Sequence, residues 1–459
     1  MITFFEIQPE EEVDEILQGF EKRIADNNAS YFDVDELEDI IDHFFEKGYL
    51  AAAANAIELG RQLHPNSTDV QLRQARLFSL QGKLEEALQL TETIDKIEHN
   101  DLDNMMLRGE VLLRLHKGRD AEIVFDNLLS NELESKDMLC LDITNIYLHL
   151  ADFSGAERYL RIAREANPRN LDVMLELAFV LQQRYDDCKE AIDIYNQMID
   201  VEPYSVEAWF NLGQAYLAQN QPEKAVEAFE FVTAIDEADM SAWLQKAHAY
   251  FENENYRKAI EIYSVYLEKA ENKEFPLIYI GECYEEMEEY DQAMEYYEKA
   301  LEIVPNFVDA RLGLATCMLA TEHFAECLAY TEQALLLEPN CAEAWIYRAE
   351  AHVGLEQIDE AIDAYEKSLK LDDTQVETYV ALGNLYLDKE DYYNSLYCFQ
   401  KAEQFDAEIE NLHLFMAVNY CKMEQYPLML GHLIVAILED RESYKAFLEF
   451  CPEMKEKKQ

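Results

Sequence analysis

The 459-residue chain contains 94 acidic and 38 basic residues, which gives it a formal net charge of −56. A surface of this charge repels phosphate backbones and anionic lipids, so the composition argues against nucleic-acid binding and membrane association. Apolar residues make up 49% of the chain, and there are only 13 Gly and 10 Pro. This composition excludes a disordered acidic chain and favours a helical protein with a large core.

The compartment is predicted from the chain start and the cysteines. Residues 1–7 lack a basic region and lead into three consecutive glutamates, so no signal peptide is expected. The most apolar run, residues 428–438, is too short to span a membrane. Nine cysteines occur without a CxxC pair, which is typical of reduced thiols used as small apolar residues. We therefore expect a cytoplasmic protein.

The first predicted element is an amphipathic helix over residues 10–28. Its apolar side chains fall on one stripe, formed by Val13, Ile16, Leu17, Phe20 and Ile24. We expect residues 1–33 to provide a capping helix that covers the N-terminal end of the structure that follows.

An internal repeat organises the chain from residue 34 to residue 443. Ala208 and Trp209 recur as Ala242 and Trp243 one period later, and the same dipeptide appears again four periods after the first. Self-comparison gives twelve consecutive units, with starts at 34, 68, 102, 137, 171, 206, 240, 274, 308, 342, 376 and 410. A period of about 34 residues is typical of solenoid proteins.

Each unit predicts two amphipathic helices joined by a polar turn. In the unit that starts at 274, Leu277, Ile280 and Tyr284 lie on one helical face, and Ala293 and Tyr297 lie on the next. Positions 8 and 20 are small in eleven of the twelve units each, counting Thr, Ser and Cys with Gly and Ala. Two helices approach closely only where neither is bulky, so we expect the paired helices to cross there.

The pattern resembles the tetratricopeptide repeat (TPR). The residues that carry the resemblance are Trp209, Leu212, Gly213, Tyr216, Ala225 and Phe229, with Pro203, Pro305 and Pro339 near unit ends. The resemblance implies an all-α fold, a right-handed α-solenoid (superhelix) of helix–turn–helix TPR units. It also implies that the first helix of each unit lines a concave groove. The three tryptophans share position 4 of their units, and this periodicity predicts that they belong to the core.

The C-terminal segment, residues 444–459, follows the last unit. Residues 444–450 predict a short capping helix before a charged tail. The second helix of the last unit, residues 428–438, is apolar nearly all round. Either the cap covers this helix fully, or residues 428–450 leave a face that forms a homodimer.

The groove is predicted to be acidic with an apolar floor. The resemblance implies that positions 2, 5, 9, 12 and 13 face the groove, and position 2 is acidic in eight of twelve units. The helix dipole also favours acids at position 2, but acids recur mid-helix at positions 9 and 13, with apolar residues at position 5. The natural partner is a protein or peptide with basic and hydrophobic residues. The candidate partner-binding residues are Glu252, Glu282, Glu286, Asp309, Glu343, Glu350, Phe251, Tyr279 and Tyr347.

The predicted function is that of a non-catalytic interaction scaffold. Repeats and end segments account for the whole chain, and no HExxH, GxSxG or glycine-rich phosphate loop occurs. We expect no catalytic residue, no cofactor and no metal. Two alternatives remain open: a structural protein that self-assembles through its C-terminal unit, and an acidic holding chaperone for basic proteins.

Overall fold

The computed structural model describes residues 16, 20, 22–23, 32–131, 135–184, 188–270, 272–406 and 409–455. Across these residues the backbone forms 25 α-helices and one 3-10 turn, with no β-strand. The predicted all-α fold is therefore confirmed. By their contacts the residues divide into two compact units, Met1–Gln219 and Asn220–Gln459. None of the helices in the described ranges has the length and apolar character needed to cross a bilayer.

The first ten helices of the first compact unit lie in antiparallel pairs joined by short turns, and an eleventh helix follows them. They are α1 (Val34–Glu46), α2 (Leu50–Leu63), α3 (Thr68–Leu80), α4 (Leu84–Asp95), α5 (Leu102–Arg114), α6 (Gly118–Asn131), α7 (Lys136–His149), α8 (Phe153–Ala166), α9 (Leu171–Arg184), α10 (Lys189–Val201) and α11 (Val206–Ala218). Each helix packs mainly on the helices before and after it, which is the arrangement of an α-solenoid.

The second compact unit has the same internal arrangement. Its helices are α12 (Pro222–Ile235), α13 (Met240–Glu252), α14 (Tyr256–Lys269), α15 (Glu274–Glu286), α16 (Tyr290–Ile303), α17 (Val308–Ala320), α18 (Phe324–Leu337), α19 (Ala342–Gly354), α20 (Ile358–Leu371), α21 (Val376–Asp388), α22 (Tyr392–Phe405), α23 (Leu412–Lys422), α24 (Tyr426–Glu439) and α25 (Ser443–Phe450). A 3-10 turn, Pro452–Lys455, follows α25. The division of residues 34–443 into twelve sequence units, with residues 1–33 and 444–459 outside them, stays a prediction.

The turns within helix pairs repeat one backbone conformation. In each described turn between a first and a second helix, one residue has a positive φ: Gly48, Gly82, His116, Ala151, Asn220, Glu254, Glu288, Glu322, Glu356, Glu390 and Glu424. After α19, the N–H of Glu356 donates to the carbonyl of Val353 (2.9 Å), and the N–H of Gln357 donates to that of His352 (2.8 Å). These two bonds form a Schellman motif, which satisfies the last carbonyls of the helix and reverses the chain.

The columns of small residues lie where the paired helices touch. Positions 8 and 20 are buried in all twelve predicted units. In the α21–α22 pair, the Ser395 hydroxyl donates to the carbonyl of Gly383 (2.8 Å). A Cβ on Gly109 would lie 2.2 Å from the ring of Phe125. In these two pairs the predicted crossing point is confirmed, and the glycine is needed because an aromatic ring of the opposite helix packs against it.

The three tryptophans correct the sequence prediction of a core position. Trp209, Trp243 and Trp345 are only half-buried. Each indole N–H donates to the carbonyl six residues earlier, with N···O distances of 2.9, 3.1 and 3.3 Å respectively. This hydrogen bond joins the start of a first helix to the preceding loop. The tryptophans therefore recur at position 4 because they make the same contact near the surface, and not because they belong to the core.

Little of the predicted N-terminal helix lies within the described residues. Phe20 is buried, with its ring centroid 5.8 Å from that of Phe32 and 5.6 Å from that of Phe44. Ile16 is 43% exposed. The other stripe residues, Val13, Leu17 and Ile24, lie outside the described ranges.

The C-terminal helix α25 covers only part of α24. Phe447 is buried against the last pair. Several apolar side chains of α24 remain open to solvent, among them Ile434 at 57% and Leu438 at 80% exposure. Of the two predicted alternatives, full coverage is wrong for the described residues, because the eight-residue cap is too short to span the whole face.

Candidate functional site

A cleft of about 210 Å³ lies between the first helices α15, α17 and α19. Its lining combines carboxylates, tyrosines and a few apolar groups: Ile278, Glu282, Glu285, Tyr297, Asp309, Leu312, Gly313, Thr316, Glu343 and Tyr347. All of these helices belong to the second compact unit.

Helical spacing explains which side chains reach the cleft. Ile278, Glu282 and Glu285 follow one another by four and three residues, so they share a face of α15. On α17, Asp309 and Leu312 are three residues apart and lie on the corresponding face. Ile278 and Leu312 are 5% and 8% exposed and form an apolar floor beneath the carboxylates.

Two glycines bring Tyr297 of α16 into the cleft. A Cβ on Gly281 would lie 2.5 Å from its ring, and a Cβ on Gly313 would lie 2.4 Å from it. Either contact is far shorter than van der Waals distance, so only glycine leaves room for the ring. Its hydroxyl donates a hydrogen bond of 2.8 Å to Oε2 of Glu285. The ring thus reaches between two first helices and fixes a carboxylate of the cleft.

Within the described part of the chain, none of the four lining carboxylates has a lysine or arginine within 4 Å. Burial in the cleft raises the pKa of Glu282 to about 7, with the charges of Glu285 and Asp309 adding to the effect. Solvent still reaches the Glu282 side chain. The effect therefore reflects partial loss of water among like charges. Burial also raises the pKa of Glu285, although the hydrogen bond from Tyr297 opposes this.

The charge around the cleft is strongly negative. The segment from α15 to the end of α19, residues 274–354, contains 17 acidic and three basic residues, a net charge of −14. A second cleft, of about 280 Å³ in the first compact unit, differs because two of its three lining acids, Asp42 and Glu110, have an arginine within 4 Å. There Arg73 lies 2.6 Å from Asp42 and 3.2 Å from Glu38. The cleft of the second unit therefore carries more carboxylates without a basic neighbour within 4 Å, among the described residues.

Four of the nine predicted site residues line the cleft together: Glu282, Asp309, Glu343 and Tyr347. The Tyr347 hydroxyl donates to Oε1 of Glu343 at 2.5 Å, which orients that carboxylate. Glu286 is outside the lining, and its charge adds to the raised pKa of Glu282.

The other four predicted residues, Phe251, Glu252, Tyr279 and Glu350, do not line this cleft. Phe251 packs edge-on against a tyrosine of α14, with centroids 5.4 Å apart. The ring of Tyr279 lies 5.2 Å from that of Tyr263. Burial raises the pKa of Glu350. A role for these residues in binding stays a prediction.

Sequence reasoning did not single out Glu285, Tyr297 and Thr316 as site residues. Glu285 and Thr316 occupy groove positions 12 and 9, so the repeat frame could have found them. Tyr297 belongs to a second helix, which the groove rule excludes. The available signal was the pair Gly281 and Gly313, which face the same ring from two sides.

Models of the tetratricopeptide repeat family match residues 184–230, 210–274, 285–351, 342–375 and 376–408. The chain is a tetratricopeptide-repeat protein. The BBSome complex member BBS4 of Bos taurus is 27% identical over 187 residues, which cover 40% of the TPR chain and 35% of the relative. BBS4 of Mus musculus is 28% identical over 177 residues, 38% of the chain and 33% of the relative. The TPR chain thus matches about a third of the length of these curated relatives.

Solved structures similar to this TPR protein include yeast Tom70 and the APC/C hetero-tetramer Cut9-Hcn1. Tom70 aligns with a TM-score of 0.45 and 14% identity, over 92% of this chain and 98% of that one. Cut9-Hcn1 aligns with a TM-score of 0.41 and 15% identity, over 88% and 92% of the two chains.

Proposed function

We propose that this TPR protein is a non-catalytic scaffold whose cleft between α15, α17 and α19 binds a partner segment carrying basic side chains beside hydrophobic ones. The observation that carries the proposal is the set of four carboxylates, without a basic neighbour in the described ranges, above the apolar floor of Ile278 and Leu312. The proposal includes a cytoplasmic location.

The size of the cleft supports a side chain of a bound segment as its occupant. Its volume of about 210 Å³ is below the roughly 300–1,000 Å³ of small-molecule sites. A lysine or arginine fits the lining well, because its methylene stem can pack on Leu312 while its charged end meets Glu282 and Asp309. Neutralising clustered carboxylates removes their mutual repulsion, which adds to the favourable binding energy.

The curated relatives support a role in assembly. They are members of a multi-protein complex, the BBSome, and the matched region is a repeat array of the kind that binds proteins. The alternative of an acidic holding chaperone uses the same charge but predicts no selectivity. Equal affinity for a panel of unrelated basic proteins would favour that alternative over the scaffold.

The test uses two synthetic peptides with the same apolar residues, one with lysine and arginine and one with those residues replaced by glutamate. Fluorescence anisotropy with the full chain should show tighter binding of the basic peptide, weakening as salt rises. The triple variant Glu282→Gln, Asp309→Asn, Glu343→Gln should lose at least about tenfold in affinity, which is about 1.4 kcal/mol.

The matched control is the triple variant Glu298→Gln, Glu302→Gln, Glu326→Gln. It removes the same charge from exposed positions outside the cleft, and it should keep most of the affinity. Equal losses in both triple variants would mean that total charge, and not the cleft, attracts the peptide.

A second function, self-assembly, is favoured by the exposed face of α24. The side chains left open there are Leu428, Leu430, Ile434, Val435 and Leu438, each at least 37% exposed. A surface of this kind is typical of a protein contact. Sedimentation at several concentrations should show a dimer that Ile434→Glu with Leu438→Glu removes. A monomer at all concentrations would exclude this function and leave the cleft proposal intact.

A further inference from the structure

The C-terminal end of the second compact unit gathers two buried thiols and a carboxylate. Cys421 lies in the last turn of α23, Cys451 follows α25, and Glu453 belongs to the 3-10 turn. The two sulfurs and one carboxylate oxygen all lie within 4.8 Å of one another. Across the described ranges, no other group of three or more His, Cys, Asp or Glu residues has its ligand atoms this close.

We infer that Cys421, Cys451 and Glu453 bind one thiophilic divalent cation, Zn²⁺, with a water molecule as fourth ligand. Thiolates select soft and borderline metals, and zinc sites with three protein ligands keep an open fourth position. This inference concerns a site separate from the cleft and does not depend on the proposed function.

The distances suit a tetrahedral site. With Zn–S bonds of about 2.3 Å and a Zn–O bond of about 2.1 Å, tetrahedral ligand atoms lie roughly 3.6–3.8 Å apart. The three groups therefore need to close by about 1 Å at most. Cys421 and Cys451 are 4% and 0% exposed, whereas the Glu453 side chain is 47% exposed, so the open position faces solvent on the carboxylate side.

The surrounding charge also suits the loaded site. On binding, the two thiol protons leave to solvent, and two thiolates, one carboxylate and Zn²⁺ together carry a net charge of −1. Lys422 supplies the compensating charge, because its Nζ lies 3.1 Å from Oε1 of Glu453. The same ion pair holds the carboxylate in place, as outer-sphere partners do in metal sites.

A metal at this position would fasten the cap to the last helix pair. Cys421 ends a helix of the pair, whereas Cys451 and Glu453 follow the cap helix α25. The cap is short, eight residues, and Phe447 is its main buried side chain. A metal cross-link would stabilise the packing of the cap on the last helix pair, which so small an apolar contact holds only weakly.

The test uses the full chain without an affinity tag, reduced and treated with chelator, and titrated with Co²⁺ as the probe. We expect one Co²⁺ per chain, with a thiolate-to-cobalt charge-transfer band that Zn²⁺ then removes. Cys421→Ser and Cys451→Ser should each abolish the band. The control Cys317→Ser, at a buried cysteine of α17, should leave it unchanged.

Glu453→Gln keeps the test decisive if the cysteine variants do not fold, because this side chain is exposed. It should weaken Co²⁺ binding by at least about tenfold. Hydrogen exchange of residues 443–455 should slow when Zn²⁺ is added. The inference is overturned by no charge-transfer band, by a band that survives in either cysteine variant, or by unchanged affinity in Glu453→Gln. A Cys421–Cys451 disulfide that persists in glutathione buffer would also overturn it.

Discussion

At the residue scale, the cleft depends on two glycines, which have no side chain to block a neighbouring ring. Tyr297 reaches the carboxylates because Gly281 and Gly313 leave its ring room on both sides. The ring is 1% exposed, and its hydroxyl still bonds to Glu285. The two glycines therefore serve both packing and the geometry of the site.

The first prediction concerns Gly313→Ala. The added methyl group would lie 2.4 Å from the Tyr297 ring, so the ring or α17 must shift. Overpacking of this kind costs about 1–3 kcal/mol, and we expect faster hydrogen exchange in α16 and α17. Gly118→Ala is the control, because a Cβ there meets nothing within 4 Å and α6 should be unaffected. Unchanged exchange in Gly313→Ala would show that the ring is loosely held.

The second prediction concerns the ionisation of Glu282. Its pKa of about 7 in the folded chain exceeds that of an unfolded glutamate, near 4.5, so the folded state binds the extra proton. The stability from this group is present below pH 4.5 and is lost as pH rises through 7. Glu282→Gln should therefore stabilise α15 more at pH 8 than at pH 5. Solvent exposure limits the difference to about 1 kcal/mol or less.

Hydrogen exchange of the α15 amides at both pH values measures this effect. Glu298→Gln provides the control, because its exposed side chain lies outside the cleft. A larger gain at pH 5 than at pH 8 would contradict the raised pKa.

At the scale of the element, the helix pair is set by its turn as much as by its apolar faces. Each described turn within a pair needs one residue with positive φ, and six of these residues are glutamates. Glutamate has a steric penalty in this conformation that glycine avoids. The turns of the second compact unit are therefore less stable than the same turns would be with glycine at these positions.

The third prediction follows from Glu356, whose φ is 58°. Glu356→Gly should stabilise the α19–α20 pair by about 0.5–1 kcal/mol, since relief of roughly 1–2 kcal/mol exceeds the added entropy of the unfolded chain. Calorimetry and hydrogen exchange of the pair measure the gain. Glu332→Gly, in the middle of α18, should instead destabilise its helix by about 1 kcal/mol. A loss of stability in both variants would contradict the role assigned to the turn.

At the scale of the whole molecule, the sequence predicted the packing features that recur in every unit and missed the contacts that occur only once. The small residues at positions 8 and 20 predicted the helix crossings, because the same steric constraint returns in every unit. Tyr297 was missed, because its access to the cleft depends on glycines of two different first helices, and only the fold shows that both face one ring. Cys421 and Cys451 are distant in the sequence, and only the turn of the chain around α24 and α25 brings their sulfurs together.

We propose one cleft of this acidic repeat protein as its receptor for positive charge. Total charge alone would attract any cation to any surface, so the experiment must separate the effect of a charge's position from that of the total charge. Inverting two charges inside the cleft, and two outside it, makes this separation. The cleft variant is Glu282→Lys with Glu343→Lys, within the cleft. The control is Glu298→Lys with Glu326→Lys, outside the cleft, and it changes the net charge by the same amount.

The decisive measurement is the affinity of both variants for the basic peptide and for its glutamate counterpart at one salt concentration. We predict that the cleft variant loses at least about tenfold for the basic peptide and gains affinity for the acidic one, while the control keeps the original preference. The same preference in both variants would contradict the account, because the cleft would then have no part in choosing the partner.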